Sequence, residues 1–160
     1  METKSILKLN NKQYKEYEKL ILNYFVNDLN DSHIDFFKDK LIPFIKYEAE
    51  KNLSQVWVLI DENEIIGFCR FQIDSEECDW CKFVGKGCIM EFCIKNSHRK
   101  RGLGKAFASE IEKQLHLMGA SEIYLQSHNA IPFWEKCGYI KQDVCISERN
   151  DSLRLLTKTL

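Results

Sequence analysis

Long apolar runs are missing from this sequence of 160 residues. A membrane-spanning helix needs about 18 or more consecutive apolar residues, and no segment reaches that length. The N-terminal segment METKSILKLNNKQ has no apolar core followed by small residues, so it does not resemble a secretory signal. We therefore expect a cytoplasmic protein that has no membrane partner.

Glycine and proline are scarce, and neither sign of charge dominates. The 7 glycines and 2 prolines argue against a disordered or collagen-like chain. The 23 basic and 24 acidic residues leave a net charge of −1, which does not suit non-specific binding to nucleic acid. Because 160 residues fit one domain, we predict a single domain over residues 1–160 and no nucleic-acid partner.

The 7 cysteines have two interpretations. In a reducing compartment they are thiols rather than disulfides. Cys78 and Cys81, with Cys88 and His98 further along the chain, instead allow a zinc site, but this spacing is not that of a standard zinc finger. We therefore expect no metal. The acidic run between Asp74 and Asp79 either attracts a cationic amine or is a solvated loop, and the solvated loop is favoured.

Apolar periodicity predicts alternating strands and helices. Strands are predicted over residues 4–9, 55–61, 64–73, 88–94, 122–127, 139–147 and 152–159. Helices are predicted over residues 12–29, 34–51, 103–118 and 131–137, with a kink or an interruption at Pro43. The helix over 103–118 is amphipathic and has Glu112 on its polar face. The strand–helix–strand unit at 88–127 predicts a parallel strand pair within an α/β or α+β sheet.

The segment from Arg99 to Lys105 stands between a predicted strand and the amphipathic helix. Gly102 and Gly104 allow a tight turn and a close approach of the backbone to a ligand. Amides at a helix N-terminus attract anions, and the cationic side chains of this segment add to that attraction. The spacing is neither that of a Walker loop nor that of a dinucleotide-binding motif. The segment predicts a phosphate site, and the alternative is a glycine-containing loop with solvated charges.

Two motifs in this order resemble the GNAT family of acetyl-CoA-dependent N-acetyltransferases. The first matches Arg/Gln-x-x-Gly-x-Gly/Ala at Arg99, Gly102 and Gly104. The second matches Ala-x-x-Phe-Tyr-x-x-x-Gly-Phe at Ala130, Phe133, Trp134, Gly138 and Tyr139. The resemblance covers residues 88–140. It implies one N-acetyltransferase domain, with a mixed, mostly antiparallel sheet of about seven strands, a splayed parallel pair and about four flanking helices.

The resemblance implies acetyl-CoA as cosubstrate and a set of residues that bind it. The amides of residues 101–105 would bind the pyrophosphate, and the end of the strand at 92–94 would pair with the pantetheine arm. Asn129 and the helix at 131–137 would flank that arm. The implied cofactor-binding residues are Phe92, Cys93, Ile94, Arg99, Lys100, Arg101, Gly102, Leu103, Gly104, Lys105, Asn129, Phe133 and Trp134.

The reaction implied by the resemblance is direct attack of a primary amine, on a small molecule or a peptide, at the thioester within a ternary complex. An alkylamine is mostly protonated at pH 7, so a base must take its proton. Glu91, a carboxylate within an apolar strand, is the predicted catalytic residue. The alternative is that Glu91 points to solvent or pairs with a lysine.

Trp134 occupies a position where many family members have a tyrosine that protonates the departing thiolate. Tryptophan cannot donate that proton, although a thiolate also leaves without an acid. Tyr124, Cys137 and Tyr139 are possible substitutes, and the sequence does not choose among them. The alternative function is therefore a catalytically weak or inactive acyl-CoA-binding module of the same fold. The sequence leaves open a monomer or a homodimer.

Overall fold

The computed structural model describes residues 1–78, 81–143 and 153–160. The chain forms two compact units. The first unit consists of Met1–Arg70 and Glu91–Gly104, and the second unit consists of Phe71–Met90 and Lys105–Leu160. A single domain over residues 1–160 stays a prediction. None of the helices in the described ranges combines the length and hydrophobicity that crossing a membrane requires.

A mixed sheet of seven strands runs through the described residues. Its strands are β1 (Glu2–Ser5), β2 (Gln55–Asp61), β3 (Glu64–Ile73), β4 (Gly87–Ile94), β5 (Glu122–Ser127), β6 (Ile140–Lys141) and β7 (Arg154–Thr159). Their order is β1-β2-β3-β4-β5-β7-β6. The pair β4–β5 is parallel, whereas β1–β2, β5–β7 and β6–β7 are antiparallel. The predicted fold class is confirmed, including the parallel pair.

Helices in the first unit are interrupted by two turns of π-helix. Helix α1 (Asn11–Asn23) continues into a π turn at Tyr24–Asp28. The short helix α2 (Ile34–Phe36) leads into a second π turn at Phe37–Leu41, and α3 (Ile42–Glu50) follows. The predicted helix is interrupted beside Pro43: the π turn at Phe37–Leu41 ends just before it, and Pro43, in the first turn of α3, has no N–H for a helical hydrogen bond.

The apolar core of the first unit forms between these helices and the sheet. Phe25 and Phe37, one from each π turn, stack with ring centroids 4.7 Å apart. The hairpin between β2 and β3 turns at Glu62 and Asn63, whose φ angles of 48° and 67° suit a type I′ turn. Gly67 in β3 lets β4 approach closely, since a Cβ there would lie 2.7 Å from the Cys93 carbonyl oxygen.

The second unit contains most of α4 (Leu103–Leu117) and the helix α5 (Ile131–Lys136). Three apolar side chains of α4 are completely buried, namely Phe107, Ile111 and Leu115. Glu112, on the predicted polar face of this helix, is nevertheless mostly buried. Its Oε2 accepts a hydrogen bond at 2.7 Å from Lys158 on β7, and the strand therefore covers the residue.

The last two predicted strands are only partly visible in the described residues. β6 and β7 fall within the predicted ranges 139–147 and 152–159. Residues 144–152, including Cys145, lie outside the described residues, as do Asp79 and Trp80 between Cys78 and Cys81.

Candidate active site

Glu91 lies in β4, and its side chain is turned into the first unit. The side chain is 18% exposed, but its Oε2 atom is buried and has no hydrogen-bond partner among the described residues. That oxygen lies 3.8 Å from Nη1 of Arg70. Burial raises the pKa of Glu91, and the Arg70 charge opposes this rise. Glu91 thus pairs with an arginine rather than a lysine, and its catalytic role stays a prediction.

Two residues beside Glu91 were missed by the sequence reasoning. Arg70 on β3 donates a hydrogen bond to Oε2 of Glu48 on α3, and both side chains are almost fully buried. Ser54 donates to the same oxygen at 3.3 Å. A signal existed for each residue: Arg70 interrupts an apolar strand, and Glu48 stands at helical spacing from the buried Ile45. A charge at an apolar position signals a buried ion pair.

The end of β4 contains the residues predicted to pair with a pantetheine arm. Within the described residues, the parallel register between β4 and β5 covers only Gly87, Cys88 and Ile89. The carbonyl of Ile94 accepts a hydrogen bond at 2.7 Å from Nε of Arg99. Pairing of residues 92–94 with the cofactor stays a prediction.

Arg99 connects the end of β4 to the end of α1. Its Nη2 donates at 2.8 Å to Oδ2 of Asp28, in the π turn after α1. The thiol of Cys93 lies 3.8 Å from the same oxygen. Burial, followed by the Asp28 charge, raises the pKa of Cys93 to about 12. The Arg99 side chain therefore has a structural role in the first unit, and Cys93 is a protonated thiol at neutral pH.

The loop before α4 has the backbone geometry of an anion site. Lys100 and Gly102 both have left-handed backbones, with φ of 62° and 80°. A Cβ placed on Gly102 meets no atom within 4 Å, so that side of the loop is open. α4 begins at Leu103, and the amides of its first turn lack helical acceptors. The Lys100, Arg101 and Lys105 side chains add exposed positive charge.

The second motif lies in the second unit. Trp134 is 4% exposed, and its ring packs at 4.9 Å from that of Phe133 and at 5.2 Å from that of Tyr139. Its side chain thus belongs to the core of this unit. Asn129 is exposed in the turn between β5 and α5, and the hydroxyl of Ser127 accepts from the Ala130 amide at 3.2 Å. Cofactor contacts of Asn129, Phe133 and Trp134 stay predictions.

The proposed substitutes for a catalytic tyrosine are buried. Tyr124 donates its hydroxyl proton to Oδ2 of Asp74, and burial raises its pKa far above the usual range. Burial also raises the pKa of the Cys137 thiol. Tyr139 is 3% exposed. A catalytic acid at any of these three positions stays a prediction.

The sequence predicts that Asp74 belongs to a solvated acidic run, but the residue is buried. It is 1% exposed. Besides Tyr124, its Oδ2 accepts from the amides of Lys82 and Phe83 at 2.7 and 2.9 Å, and its Oδ1 accepts from Gln72. Asp74 is the residue that organises the loop between β3 and β4. A carboxylate with so many donors is structural rather than a receptor for a cationic amine.

Cys78 and Cys81 lie in this same loop. Cys78 is buried, and its sulfur lies 3.4 Å from the Ser75 hydroxyl. Across residues 1–78, 81–143 and 153–160, no group of three or more histidine, cysteine, aspartate or glutamate side chains is placed to hold a metal ion.

Comparison with known proteins identifies the family. The sequence profile of the acetyltransferase (GNAT) family matches residues 15–139. The chain belongs to the GNAT family. No curated protein matches this GNAT chain in sequence at a significant level.

Solved structures of other GNAT proteins share the fold. The PaiA N-acetyltransferase from Thermoplasma acidophilum, solved with coenzyme A, has a TM-score of 0.71 at 18% identity over 100% of both chains. An aminoglycoside 6'-N-acetyltransferase complexed with coenzyme A has a TM-score of 0.73 at 14% identity, over 99% of this chain and 97% of the other. An aminoglycoside 6'-acetyltransferase type Ii has a TM-score of 0.70 at 17% identity over the same shares.

Proposed function

We propose that this GNAT protein is an N-acetyltransferase that moves the acetyl group of acetyl-CoA to a primary amine of a small molecule or peptide. Direct attack occurs in a ternary complex. The observation that carries the proposal is the position of Glu91: a largely buried carboxylate in the strand that precedes the phosphate-binding loop. The aminoglycoside acetyltransferases among the structural neighbours support a small-molecule amine as substrate.

The residues of the loop before α4 fit coenzyme A. The left-handed backbone at Gly102 and the open space beside it allow the loop amides to contact a pyrophosphate. The amides of residues 101–105 would hold the pyrophosphate, and the β4 backbone at 92–94 would align the pantetheine arm. When bound, the cosubstrate supplies an acetyl thioester, whose carbon forms a bond to the amine nitrogen while its bond to sulfur breaks.

Glu91 takes the proton that the attacking amine must lose. Its raised pKa brings the carboxylate closer to the pH at which it exchanges protons efficiently. A base of this kind contributes roughly 100-fold to 10,000-fold to a rate. The departing sulfur leaves as a thiolate and takes a proton from solvent, since the pKa of a free thiol is about 8.5.

Direct attack is also favoured by the state of the Cys93 thiol, which lies in the same strand as Glu91. The pKa of Cys93, at about 12, leaves the thiol protonated at neutral pH. A protonated thiol is a poor nucleophile, which disfavours an acetyl-cysteine intermediate at this position.

The test combines cofactor binding with turnover. Calorimetry of the wild type is expected to show acetyl-CoA binding, and an amine panel is expected to show release of free coenzyme A. Glu91→Gln is expected to lower kcat about 100-fold or more while coenzyme A affinity is kept. Glu64→Gln is the control, because Glu64 is an exposed carboxylate in the same unit, 2.6 Å from Lys95. An unchanged kcat in Glu91→Gln contradicts the role of Glu91.

A second candidate function is an acyl-CoA-binding module without turnover. The observation that favours it is Trp134, which is buried in the core and cannot protonate a leaving group. Coenzyme A binding without turnover of any amine in the panel would select this function. Loss of binding as well would contradict both functions.

A further inference from the structure

Arg70 faces two carboxylates but is hydrogen-bonded to only one of them. Its Nη2 donates to Glu48, whereas its Nη1 lies 3.8 Å from Glu91, beyond hydrogen-bond distance. The Arg70 side chain is 3% exposed, so water screens these charges little. Ser54 adds a second donor to Glu48. The guanidinium is therefore hydrogen-bonded to Glu48, and the negative charge of Glu48 offsets part of the attraction between Arg70 and Glu91.

The other groups that face Glu91 are neutral at physiological pH. Tyr17 on α1 and Tyr24 in the following π turn both interact with Glu91, and burial raises the pKa of each phenol well above its usual range. The charges that act on Glu91 within the described residues are thus Arg70 on β3 and Glu48 on α3. One cation and two carboxylates leave a surplus negative charge, which a proton on Glu91 removes.

We propose that Glu48 is a positioning residue for this reaction: by holding Arg70, it prevents that cation from fully compensating Glu91 and so leaves Glu91 ready to accept a proton. The inference rests on the proposed function, in which Glu91 is the base. Glu48 itself contacts neither substrate nor cofactor in this scheme. Glu48 acts through the guanidinium of Arg70. Removing the Glu48 charge leaves the attraction between Arg70 and Glu91 unopposed.

Two variants test this without leaving a buried carboxylate at position 48 that has lost its cation. Glu48→Gln keeps the shape and an oxygen acceptor for Arg70, so the cation acts on Glu91 alone. The double variant Glu48→Gln/Arg70→Met removes both charges together, which a buried site tolerates better than the loss of one partner. The control is Glu50→Gln, at an exposed carboxylate on the same helix, 4.0 Å from Lys46.

The measurement is carbon-13 NMR titration of the glutamate carboxyl groups in the full chain, with Glu91 assigned by its loss in Glu91→Gln. We expect the Glu91 titration to move to lower pH in Glu48→Gln and to higher pH in the double variant, because a nearby cation favours the ionised carboxylate. The acidic limb of kcat/KM is expected to move in the same two directions, with coenzyme A affinity unchanged. Glu50→Gln is expected to move neither.

The outcomes separate this inference from the proposed function. Glu91 titrations that coincide in the wild type and in folded Glu48→Gln overturn the role of Glu48. A titration that moves in the two opposite directions supports it, and a merely structural Glu48 would not produce opposite shifts. If the titration moves while the acidic limb of kcat/KM stays in place, Glu91 is not the base: the proposed role of Glu91 then fails, and the claim that Glu48 serves the reaction fails with it.

Discussion

At the scale of single residues, the pKa of a buried carboxylate in this protein depends on the groups that contact it. Glu91 and Glu48 are both glutamates with little exposure, yet within the described part of the chain only Glu48 accepts direct hydrogen bonds. Hydrogen bonds to a carboxylate stabilise its charged form, and burial without them favours the neutral form. The pKa of Glu91 is raised for this reason. A structural carboxylate thus lies next to a carboxylate with a raised pKa, which suits the proton transfer proposed for Glu91.

The raised pKa of Glu91 predicts a stability change in Glu91→Gln. Because the folded state binds the proton more tightly than the unfolded chain, ionising Glu91 costs folding free energy, and wild-type stability falls as pH rises through its folded pKa. Glu91→Gln removes that cost. We expect its free energy of unfolding to exceed that of the wild type at pH 7 and the difference to shrink toward pH 4, measured by urea denaturation.

The control for this measurement is Glu50→Gln, at a half-exposed side chain whose substitution should change stability by less than about 0.5 kcal/mol at either pH. A lower free energy of unfolding for Glu91→Gln at pH 7 would show that the ion pair with Arg70 outweighs the burial of the carboxylate.

At the scale of elements, the junction between β4 and α4 is shaped by the hydrogen bonds of one side chain and by the backbone conformation of two residues. Arg99 attaches this junction to Asp28 and to the Ile94 carbonyl through hydrogen bonds. The left-handed backbones at Lys100 and Gly102 then direct the chain into α4. Glycine adopts this conformation at no steric cost, whereas it costs an L residue about 1–2 kcal/mol. The junction is therefore shaped by its backbone, and its charged side chains remain exposed.

Gly102→Ala is expected to weaken coenzyme A binding about tenfold or more, since a methyl group would occupy the open side of the anion site. The matched control is Gly119→Ala at the other end of α4, where φ is 102° and an added Cβ also meets nothing within 4 Å. Both variants should lose about 1 kcal/mol of stability. Calorimetry should show the loss of affinity in Gly102→Ala alone. Equal affinities in the two variants would contradict a pyrophosphate site at this loop.

At the scale of the whole molecule, distant parts of the sequence meet through a few buried polar contacts. Lys158 on β7 donates to Glu112 of α4 at 2.7 Å and to the Cys137 carbonyl after α5 at 2.8 Å. Its side chain is 24% exposed and that of Glu112 is 11% exposed. One ammonium group thus joins a strand and two helices in the second unit.

Lys158→Met is expected to lower the free energy of unfolding by about 2 kcal/mol, because it leaves a mostly buried carboxylate without its cation. Lys86→Met is the matched control: its ammonium lies 2.8 Å from Glu122, but both side chains are more than a third exposed, so the loss should stay below about 1 kcal/mol. Thermal denaturation of both variants measures the difference. Equal losses would show that burial does not determine the strength of the Lys158 contact.

The sequence by itself determined the family and most elements of this protein, although the strand predicted over 4–9 ends at Ser5 and a 3-10 helix follows at Ile6–Lys8. The bounds of β2, β3 and β5 match the predicted ranges, because alternating apolar residues and turn signals are local. The glycine loop at Arg99–Lys105 and the motif around Trp134 identified the family for the same reason, since each is a short contiguous pattern.

Only the tertiary structure decided which polar residues are buried and what they contact. Glu112 and Asp74 have polar surroundings in the sequence, yet each is covered by an element far along the chain. Arg70 and Glu48 lie 22 residues apart, and their pairing beside Glu91 appears only after α3 packs on the sheet. The spacing of apolar residues indicates which face of its own helix or strand a residue occupies. The protonation state of a carboxylate depends on charges from other elements, which only folding brings together.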